Sequence, residues 1–394
     1  MLCAGFVYDG SAAVQSNHRF PTGAAARRTR GGASASQHEE DRGKSAAHDG
    51  REGTILRASH RLLVAAVTAV AAVAAVEIGL ALLLHRASAF DHVLAAARRY
   101  YQTYEVRMAQ YLPATARYDP RLTYRLRPGR NAFANREFET VLAVNSRGVR
   151  DDEESLVRPA IVVLGDSFAM GWGVGEGRSF PDLIEQRSGH KVLNASVSSY
   201  GTAREVLLLD EVDRSALSAL VVQYDDNDYV ENRSFVDAGF HLPVMPRGQY
   251  ERICQEHARL RYYPGKYLHR FLPLLLTADD PAAATKSTPP VPPAAAAEVF
   301  LDVLSYAAPR LAGARIIVFE VNGFALNDSA FIDAVRRRAR ERPDLSRIET
   351  VDLASRLTAA HFLPIDGHLN EAGHEVVAQA LLEVLRAGRV AAAK

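Results

Sequence analysis

The sequence predicts an α/β domain in which helices cover both faces of a central parallel sheet, giving three layers, α/β/α. From about residue 160 onward, short apolar runs alternate with stretches of helical periodicity, as in a parallel sheet with crossover helices. One run, Ile161–Leu164, is apolar at every position, which indicates a strand buried on both faces. Polar side chains follow several runs directly, where open α/β sheets place their sites.

The other elements of this domain follow in order along the chain. The strand-like runs are short and rich in branched apolar residues, whereas the helical stretches carry charged residues on one face. We expect strands at 191–195, 217–224, 315–321 and 347–351, and helices at 180–187, 202–213, 300–310, 330–342 and 371–386.

The run Ile161–Leu164 ends in Gly165-Asp166-Ser167, which places a serine hydroxyl at the carboxyl edge of the sheet. Ser167 is therefore the candidate nucleophile. The alternative is that Ser167 only caps the helix that follows, because Asp and Ser are both preferred at helix N-termini. Other polar stretches of the chain favour the first interpretation.

Three further stretches complete a pattern with Gly165-Asp166-Ser167. Residues 194–201 read Asn-Ala-Ser-Val-Ser-Ser-Tyr-Gly, residues 223–228 read Gln-Tyr-Asp-Asp-Asn-Asp, and residues 364–370 read Pro-Ile-Asp-Gly-His-Leu-Asn. Together they resemble the four blocks of the SGNH (GDSL-type) hydrolases, which contribute a Ser, a backbone amide usually from Gly, an Asn, and an Asp-His pair, in that order. The resemblance covers about residues 160–390. It implies a flavodoxin-like fold and an ester-cleaving activity without a cofactor or a metal.

The resemblance implies three catalytic roles. Ser167 would be the nucleophile, His368 the base that takes its proton, and Asp366 the carboxylate that orients the imidazole. A serine hydroxyl is a weak nucleophile at neutral pH and needs both partners. His374 lies inside the predicted last helix, and we interpret it as structural.

The resemblance also implies an oxyanion hole, whose donors stabilise the negative charge that forms on the ester carbonyl. They would be the amide of Ser167, an amide of the second stretch, and the side chain of Asn227. Alignment on Asn194 places the family's glycine at Ser199, and Gly201 follows two residues later. The amides of Ser199 and Gly201 are therefore both candidates.

The spacing Asp366-Gly367-His368 is one residue shorter than the Asp-x-x-His most frequent in the family. The carboxylate must then reach the ring from a tighter turn. Gly367 permits such a turn because glycine adopts backbone conformations that other residues avoid. A non-catalytic binding protein on the same scaffold is the alternative if the departures disable the site.

Composition excludes several other classes of function. The formal net charge is +1 and no basic patch is interleaved with aromatic residues, so we expect no nucleic-acid partner. Cys3 and Cys254 are far apart in sequence, and we expect neither a disulfide nor a zinc site from them.

An apolar stretch divides the chain. Residues 1–60 are rich in small and charged residues without apolar periodicity, which predicts disorder. Residues 62–84, interrupted by Glu77, have about the length that crosses a bilayer as a helix. We expect a transmembrane anchor at 61–86, a juxtamembrane helix with a lead-in β segment at 87–158, and the catalytic domain at 159–390.

The residues that flank the apolar stretch predict its orientation. Arg51, Arg57 and Arg61 precede it closely, which favours a cytoplasmic N-terminus and an extracytoplasmic catalytic domain on a single-pass protein of the cell membrane. A cleaved signal peptide is the alternative, because Ala87-Ser88-Ala89 has the form of a cleavage site. The length of the stretch and the charge of Arg86 favour a retained anchor.

Two segments flank the predicted site. In the lead-in segment, 91–112 has helical spacing with tyrosines at 100, 101, 104 and 111, which suits an interfacial or stalk helix. Residues 138–144 alternate as a strand does, and we expect a β-ribbon at the domain edge, with substrate contact by Arg147 or Arg150 as the alternative. An insertion at about 229–297 follows Asn227, and it is either a lid that confers specificity or a surface loop without a role in the site. Its proline tract at 289–293 should be extended.

The sequence therefore predicts a membrane-anchored serine esterase that hydrolyses an acyl ester on a small molecule or a glycan, such as an O-acetyl group on carbohydrate or lipid. The alternative is an O-acyltransferase that passes the acyl group to a cell-surface polysaccharide. Water and a sugar both attack through a hydroxyl, so the sequence does not separate the two. It indicates neither the natural substrate nor the oligomeric state.

Overall fold

The computed structural model of the protein describes residues 40–258, 262–277, 291–311, 313–326 and 328–392. Contacts divide the chain into compact units between Gly79 and Leu80. The helices are α1 Glu40–His85, α2 Asp91–Tyr104, α3 Ser167–Met170, α4 Phe180–Ser188, α5 Thr202–Leu208, α6 Asp228–Asp237, α7 Arg247–Ala258, α8 Lys266–Leu276, α9 Pro293–Ala307, α10 Ala330–Ala339 and α11 Glu371–Ala392. The strands are β1 Ala116–Asp119, β2 Thr123–Leu126, β3 Gly129–Ala134, β4 Glu139–Val144, β5 Ile161–Leu164, β6 Val192–Asn194, β7 Ala219–Tyr224, β8 Arg315–Glu320 and β9 Ile348–Val351.

Strands β5 to β9 of the described chain form one parallel sheet. β5 pairs with β6 on one side and with β7 on the other, and β8 and β9 extend the sheet beyond β7. Numbered along the chain, the strands therefore lie in the order 2-1-3-4-5, which is the flavodoxin-like order. The predicted flavodoxin-like parallel sheet is confirmed.

Alternate residues of the central strands enter two separate apolar cores. Val162 and Leu164 of β5 lie in the core covered by α5, α9 and α10. Ile161 and Val163 lie in the core covered by α4 and α11. Side chains alternate along a strand, so a strand between two helical layers has to be apolar at every position. The predicted three-layer α/β/α arrangement is confirmed. The side chains of β5 show the reason, because they fill the apolar cores on both faces of the sheet.

The N-terminal helix is longer than the sequence predicted. Residues 40–60, expected to be disordered, belong to α1, while residues 1–39 lie outside the described residues. Ala, Glu, Lys and Arg in this stretch have high helix propensity, and an existing helix extends at one hydrogen bond per added residue. Within α1, residues 57–85 are long and apolar enough to cross a bilayer.

The last turn of α1 belongs to the compact unit that begins at Leu80. Leu80 and Leu84 are buried in a third apolar core together with residues of α2 and α8. Tyr100 and Tyr101 of α2 lie in the same core, so an interfacial or stalk role is wrong for these two residues. The aromatic face of an amphipathic helix packs on any apolar surface, and here that surface is protein.

The lead-in strands form two antiparallel pairs, β1 with β2 and β3 with β4. Leu126, Phe133 and Leu142 of these pairs join the core on the α5 and α9 face of the central sheet. The expected β-ribbon is present as β3 and β4, and it packs on the core of the central sheet.

The insertion packs on the lead-in segment. The hydroxyl of Tyr250 in α7 donates to the carbonyl of Gln110 at 2.8 Å, and Phe271 of α8 meets Tyr100 edge-on with ring centroids 5.6 Å apart. Residues 278–290, which include the first two prolines of the predicted extended tract, lie outside the described residues, and the last proline of the tract begins α9. A lid role for the insertion stays a prediction.

The burial of Leu84 makes a prediction about stability. Leu84→Ala should lower the free energy of unfolding of the unit that begins at Leu80 by about 2–5 kcal/mol, because a side chain that is 1% exposed is replaced by a cavity. Leu82→Ala, two residues away and 64% exposed, is the matched control and should change it by less than about 0.5 kcal/mol. Urea unfolding of both variants in detergent, followed by tryptophan fluorescence, measures the difference. Equal losses would contradict the assignment of Leu84 to the core.

Candidate active site

Ser167 stands directly after β5, at the first position of α3. The helix is capped by the residue before it, because the carboxylate of Asp166 accepts the amide of Phe168 at 2.9 Å. The alternative interpretation of Ser167 as the cap is therefore wrong. Its hydroxyl is engaged elsewhere, with Nε2 of His368 at 2.7 Å.

His368 joins Ser167 to Asp366. Nδ1 of the imidazole is hydrogen-bonded to Oδ1 of Asp366, and Nε2 faces the hydroxyl of Ser167. An ionised carboxylate can only accept, so Nδ1 carries the ring proton and Nε2 has the free lone pair that accepts from Ser167. The predicted pairing of Asp366 with His368 is thus present in the geometry, and the shortened spacing does not prevent it.

Asp366 is buried, yet its surroundings favour the ionised form. Burial acts to raise the pKa of Asp366, but the charge of His368 and hydrogen bonds from His368, Tyr101 and Trp172 outweigh it and hold the pKa below its usual value. The hydroxyl of Tyr101 and Nε1 of Trp172, the latter at 3.3 Å, both donate to Oδ2. Asp366 therefore stays charged at neutral pH.

The turn that brings Asp366 to His368 depends on Gly367. Its φ is +86°, in the left-handed region that favours glycine. A Cβ at this position would lie 2.6 Å from the ring of Phe324. The tight turn anticipated from the short spacing is confirmed, and it leaves no room for a side chain.

Residues of the lead-in segment hold the backbone of this turn. The carboxylate of Glu137 accepts the amides of Ile365 at 2.9 Å and Asp366 at 2.6 Å. Nε of Arg98 donates to the carbonyl of Pro364 at 2.7 Å. Two residues from outside the central sheet thereby fix the position of the orienting carboxylate.

The indole ring of Trp172 packs against one face of His368. The indole of Trp172 stacks on the imidazole with centroids 4.9 Å apart, and Phe133 of β3 meets the indole edge-on at 4.7 Å. The guanidinium of Arg150 is buried and donates to the carbonyls of the turn around Trp172, including that of Val174 at 2.8 Å. Arg150 is therefore structural, and the alternative of a substrate contact by this residue is not supported.

The structure distinguishes the four candidate oxyanion donors. The amide of Ser167 lies in the first turn of α3, where backbone N–H groups have no partner within the helix. The side chain of Asn227 helps to lower the pKa of Asp166 at the start of α3, and its amide nitrogen carries two N–H groups that can donate. The amide of Gly201 instead donates to Glu231 at 3.0 Å, so the structure does not support Gly201 as a donor.

Ser199 has an unusual backbone conformation for a residue other than glycine. Its φ is +60°, which glycine adopts most readily and which strains other residues. Its hydroxyl accepts from Nε2 of Gln110 at 2.9 Å, and Oε1 of the same Gln110 accepts from the hydroxyl of Ser198 at 3.2 Å. The hydroxyl of Tyr124 donates to the carbonyl of Ser198 at 2.7 Å. Lead-in residues thus fix this loop as well.

His374 is structural, as its place in the last helix predicted. It is fully buried, and its Nδ1 accepts the amide of Phe180 at 3.2 Å. Burial, helped by the charge of Arg150, lowers the pKa of His374 to about 3, so the ring is neutral. It contributes a hydrogen-bond acceptor at the start of α4.

Sequence reasoning missed several residues of the site, among them Tyr101, Gln110, Glu137 and Trp172. Trp172 carried a signal, because it stands between two glycines just after the serine block. Tyr101 was noticed as part of an aromatic helix but given a different role. Gln110 and Glu137 stand in no recognisable motif, and only their contacts show what they do.

Comparison with known proteins adds little to this geometry. No protein-family model matches the chain, and no curated protein matches it. Among solved structures, a carbohydrate esterase aligns with TM-score 0.35 and 11% identity over 58% of this chain and 68% of its own. A protein assigned to the G-D-S-L lipolytic family from Desulfitobacterium hafniense aligns with TM-score 0.31 and 12% identity over 56% and 98%. A salicylyl-acyltransferase from a tetracycline biosynthetic pathway aligns with TM-score 0.33 and 14% identity over 59% and 56%. Such weak likenesses carry no argument about activity.

The turn at Gly367 makes a prediction about stability. Gly367→Ala should lower the free energy of unfolding by about 2–5 kcal/mol, since left-handed strain and a clash with Phe324 add together. Gly189→Ala is the matched control: its φ is +67°, but no described atom lies within 4 Å of a Cβ there, so about 1–2 kcal/mol of strain alone is expected. Chemical denaturation compares them. A loss no larger than that of Gly189→Ala would show that the ring of Phe324 yields.

Proposed function

We propose that the protein is a serine esterase that hydrolyses an acyl ester through Ser167, His368 and Asp366. The observation that carries the proposal is the continuous line of contacts from the Ser167 hydroxyl to Nε2 of His368 and from Nδ1 to Asp366. Such a line supplies a nucleophile, a base and an orienting carboxylate. A non-catalytic binding protein would not need a serine, a histidine and an aspartate hydrogen-bonded in this order.

The reaction follows from the roles of these groups. The Ser167 oxygen attacks the ester carbonyl while His368 takes its proton, and the same proton passes to the departing alcohol as the acyl-enzyme forms. Water then attacks the acyl-enzyme, giving its proton to His368, and Ser167 regains a proton as the acid leaves. The amides of Ser167 and Ser199 and the side chain of Asn227 are the proposed oxyanion donors, each worth about 3–4 kcal/mol in the transition state.

The substrate class is an acyl ester on a small molecule or a glycan, with O-acetyl groups on carbohydrate or lipid as the leading example. Ser167 is only 5% exposed, which favours a small acyl group over a long one. Transfer of the acyl group to a polysaccharide hydroxyl in place of water would use the same residues, and the assay below separates the two.

We further propose that α1 anchors the protein in the cell membrane through residues 62–84, with the N-terminus in the cytoplasm and the catalytic unit outside. Within 57–85 of α1, an 18-residue window has a mean hydropathy of 2.4. The burial of Leu80, Leu84 and Ala87 in the catalytic unit supports a retained helix, because cleavage near Ala89 would remove side chains from an apolar core.

Loss of the nucleophile or of the base should abolish hydrolysis. Ser167→Ala and His368→Ala are each expected to lower kcat on p-nitrophenyl acetate by several orders of magnitude, because the two residues act as a unit. Ser234→Ala, an exposed serine on α6, is the control and should retain the wild-type rate. The full-length protein in detergent is assayed at equal folded concentration, with and without a polysaccharide acceptor.

The outcomes distinguish the candidates. Residual activity of Ser167→Ala within tenfold of the wild type would falsify the nucleophile assignment. Acylated polysaccharide formed at the expense of free acid would favour the transferase.

The anchor makes a separate prediction. The full chain should sediment with membranes, and protease added to intact spheroplasts should digest the catalytic unit, because it is expected outside. A cytoplasmic protein of the same cells is the internal control and should survive. Protection of the catalytic unit would mean that the orientation is inverted, and recovery in the soluble fraction would contradict the anchor.

A further inference from the structure

We propose that Tyr101 is a positioning residue of the catalytic site, holding the Asp366 carboxylate in the orientation from which it acts on His368. The inference rests on the function proposed above. It adds to the site a residue of α2, which lies in the lead-in segment and outside the four sequence blocks.

The two oxygens of Asp366 face different partners. Oδ1 bonds Nδ1 of His368, and Oδ2 accepts from the hydroxyl of Tyr101. Nε1 of Trp172 also donates to Oδ2, at 3.3 Å, so Tyr101 is the closer of the two donors. A carboxylate held through one oxygen can rotate about its last side-chain bond, whose torsional preference is broad. Partners on both oxygens remove that freedom.

The surroundings of Tyr101 keep its hydroxyl protonated and able to donate a hydrogen bond. It is 1% exposed, and its ring is fixed in the apolar core shared by α2, α8 and the end of α1. Burial, followed by the charge of Asp366 and the hydrogen bond to it, raises the pKa of the Tyr101 phenol well above its usual value. The hydroxyl therefore keeps its proton at neutral pH.

Several charged groups around Asp366 make this donor necessary. His368 faces Oδ1, whereas Glu137, in the connection between β3 and β4, accepts the backbone amide of Asp366. Burial raises the pKa of Glu137, and the charge of Asp366 adds to this because neighbouring carboxylates repel each other. The backbone hydrogen bonds from Asp366 and Ile365 and the charge of Arg98 offset only part of the rise. Without the Tyr101 hydroxyl, Asp366 would keep that repulsion and lose a donor.

The direction of the pH effect follows. The hydrogen bond from Tyr101 stabilises the ionised form of Asp366 and so lowers its pKa. Removal of the hydroxyl raises this pKa and leaves more negative charge on the oxygens that face His368, which favours the imidazolium. An imidazolium cannot take the proton of Ser167, so the acid limb of kcat/KM moves to higher pH. A residue that only filled space would change stability without moving the limb.

Tyr101→Phe tests the proposal because it keeps the ring and removes the donor. In the full-length protein, kcat on p-nitrophenyl acetate should fall about ten- to a hundredfold, as for a lost hydrogen bond to a charged group, while KM stays within about twofold. The acid limb should move to higher pH. Tyr100→Phe is the matched control: it is the adjacent, equally buried residue of α2, its hydroxyl lies beside Glu105 and not Asp366, and all three quantities should stay unchanged.

A second measurement does not depend on turnover. Carbon-13 NMR of labelled aspartate carboxyls, with the Asp366→Asn variant as the assignment reference, reports the pKa of Asp366 directly. A higher pKa of Asp366 in Tyr101→Phe supports the positioning role. Failure of the wild type to hydrolyse any ester would contradict only the proposed function and would leave this support in place. An unchanged pKa, or an equal change in Tyr100→Phe, would overturn the proposal.

Discussion

A carboxylate removed from water is tolerated only when its charge and its oxygens are matched by partners, and Asp366 imposes this condition on everything around it. Burial alone would raise its pKa and neutralise it, and a neutral carboxyl does not stabilise an imidazolium. His368, Tyr101 and Trp172 together reverse that effect. The aromatic character of the surroundings is therefore compatible with charge, because two of the aromatic side chains turn their polar atoms toward the same oxygen.

The lead-in segment belongs to the same compact unit as the candidate site and is not an accessory to it. It contributes to both ends of the candidate site: Tyr101 and Glu137 hold the Asp-His turn, and Gln110 and Tyr124 hold the loop of Ser199. The central sheet positions the ends of its strands, but it does not fix the loops that follow them. A second layer of contacts does so, and in this protein the contacts come from residues that precede the first sheet strand.

The parts of the site that the sequence predicts are those encoded locally. The apolar strand β5 and the turn after it identify Ser167 as a candidate. Gly367, between Asp366 and His368, predicts a tight turn within three residues. The choice between Ser199 and Gly201 was not accessible, because it depends on a hydrogen bond from Gly201 to a side chain 30 residues away. Tyr101 was out of reach for the same reason. The sequence pattern of a tyrosine on an amphipathic helix is the same whether the side chain contacts lipid or a carboxylate.

The hydroxyl of Ser167 and the imidazole that it contacts lie 201 residues apart along the chain, and Tyr101 lies 265 residues from the carboxylate that it bonds. Contacts between such distant residues form late, since the entropy of closing long loops has to be overcome first. A chain still emerging from the ribosome or a translocation channel therefore carries Ser167 without an imidazole to activate it. On the proposed function, Ser167 would become reactive only when synthesis and folding of the chain are almost complete, so a nascent chain would not be acylated at this serine.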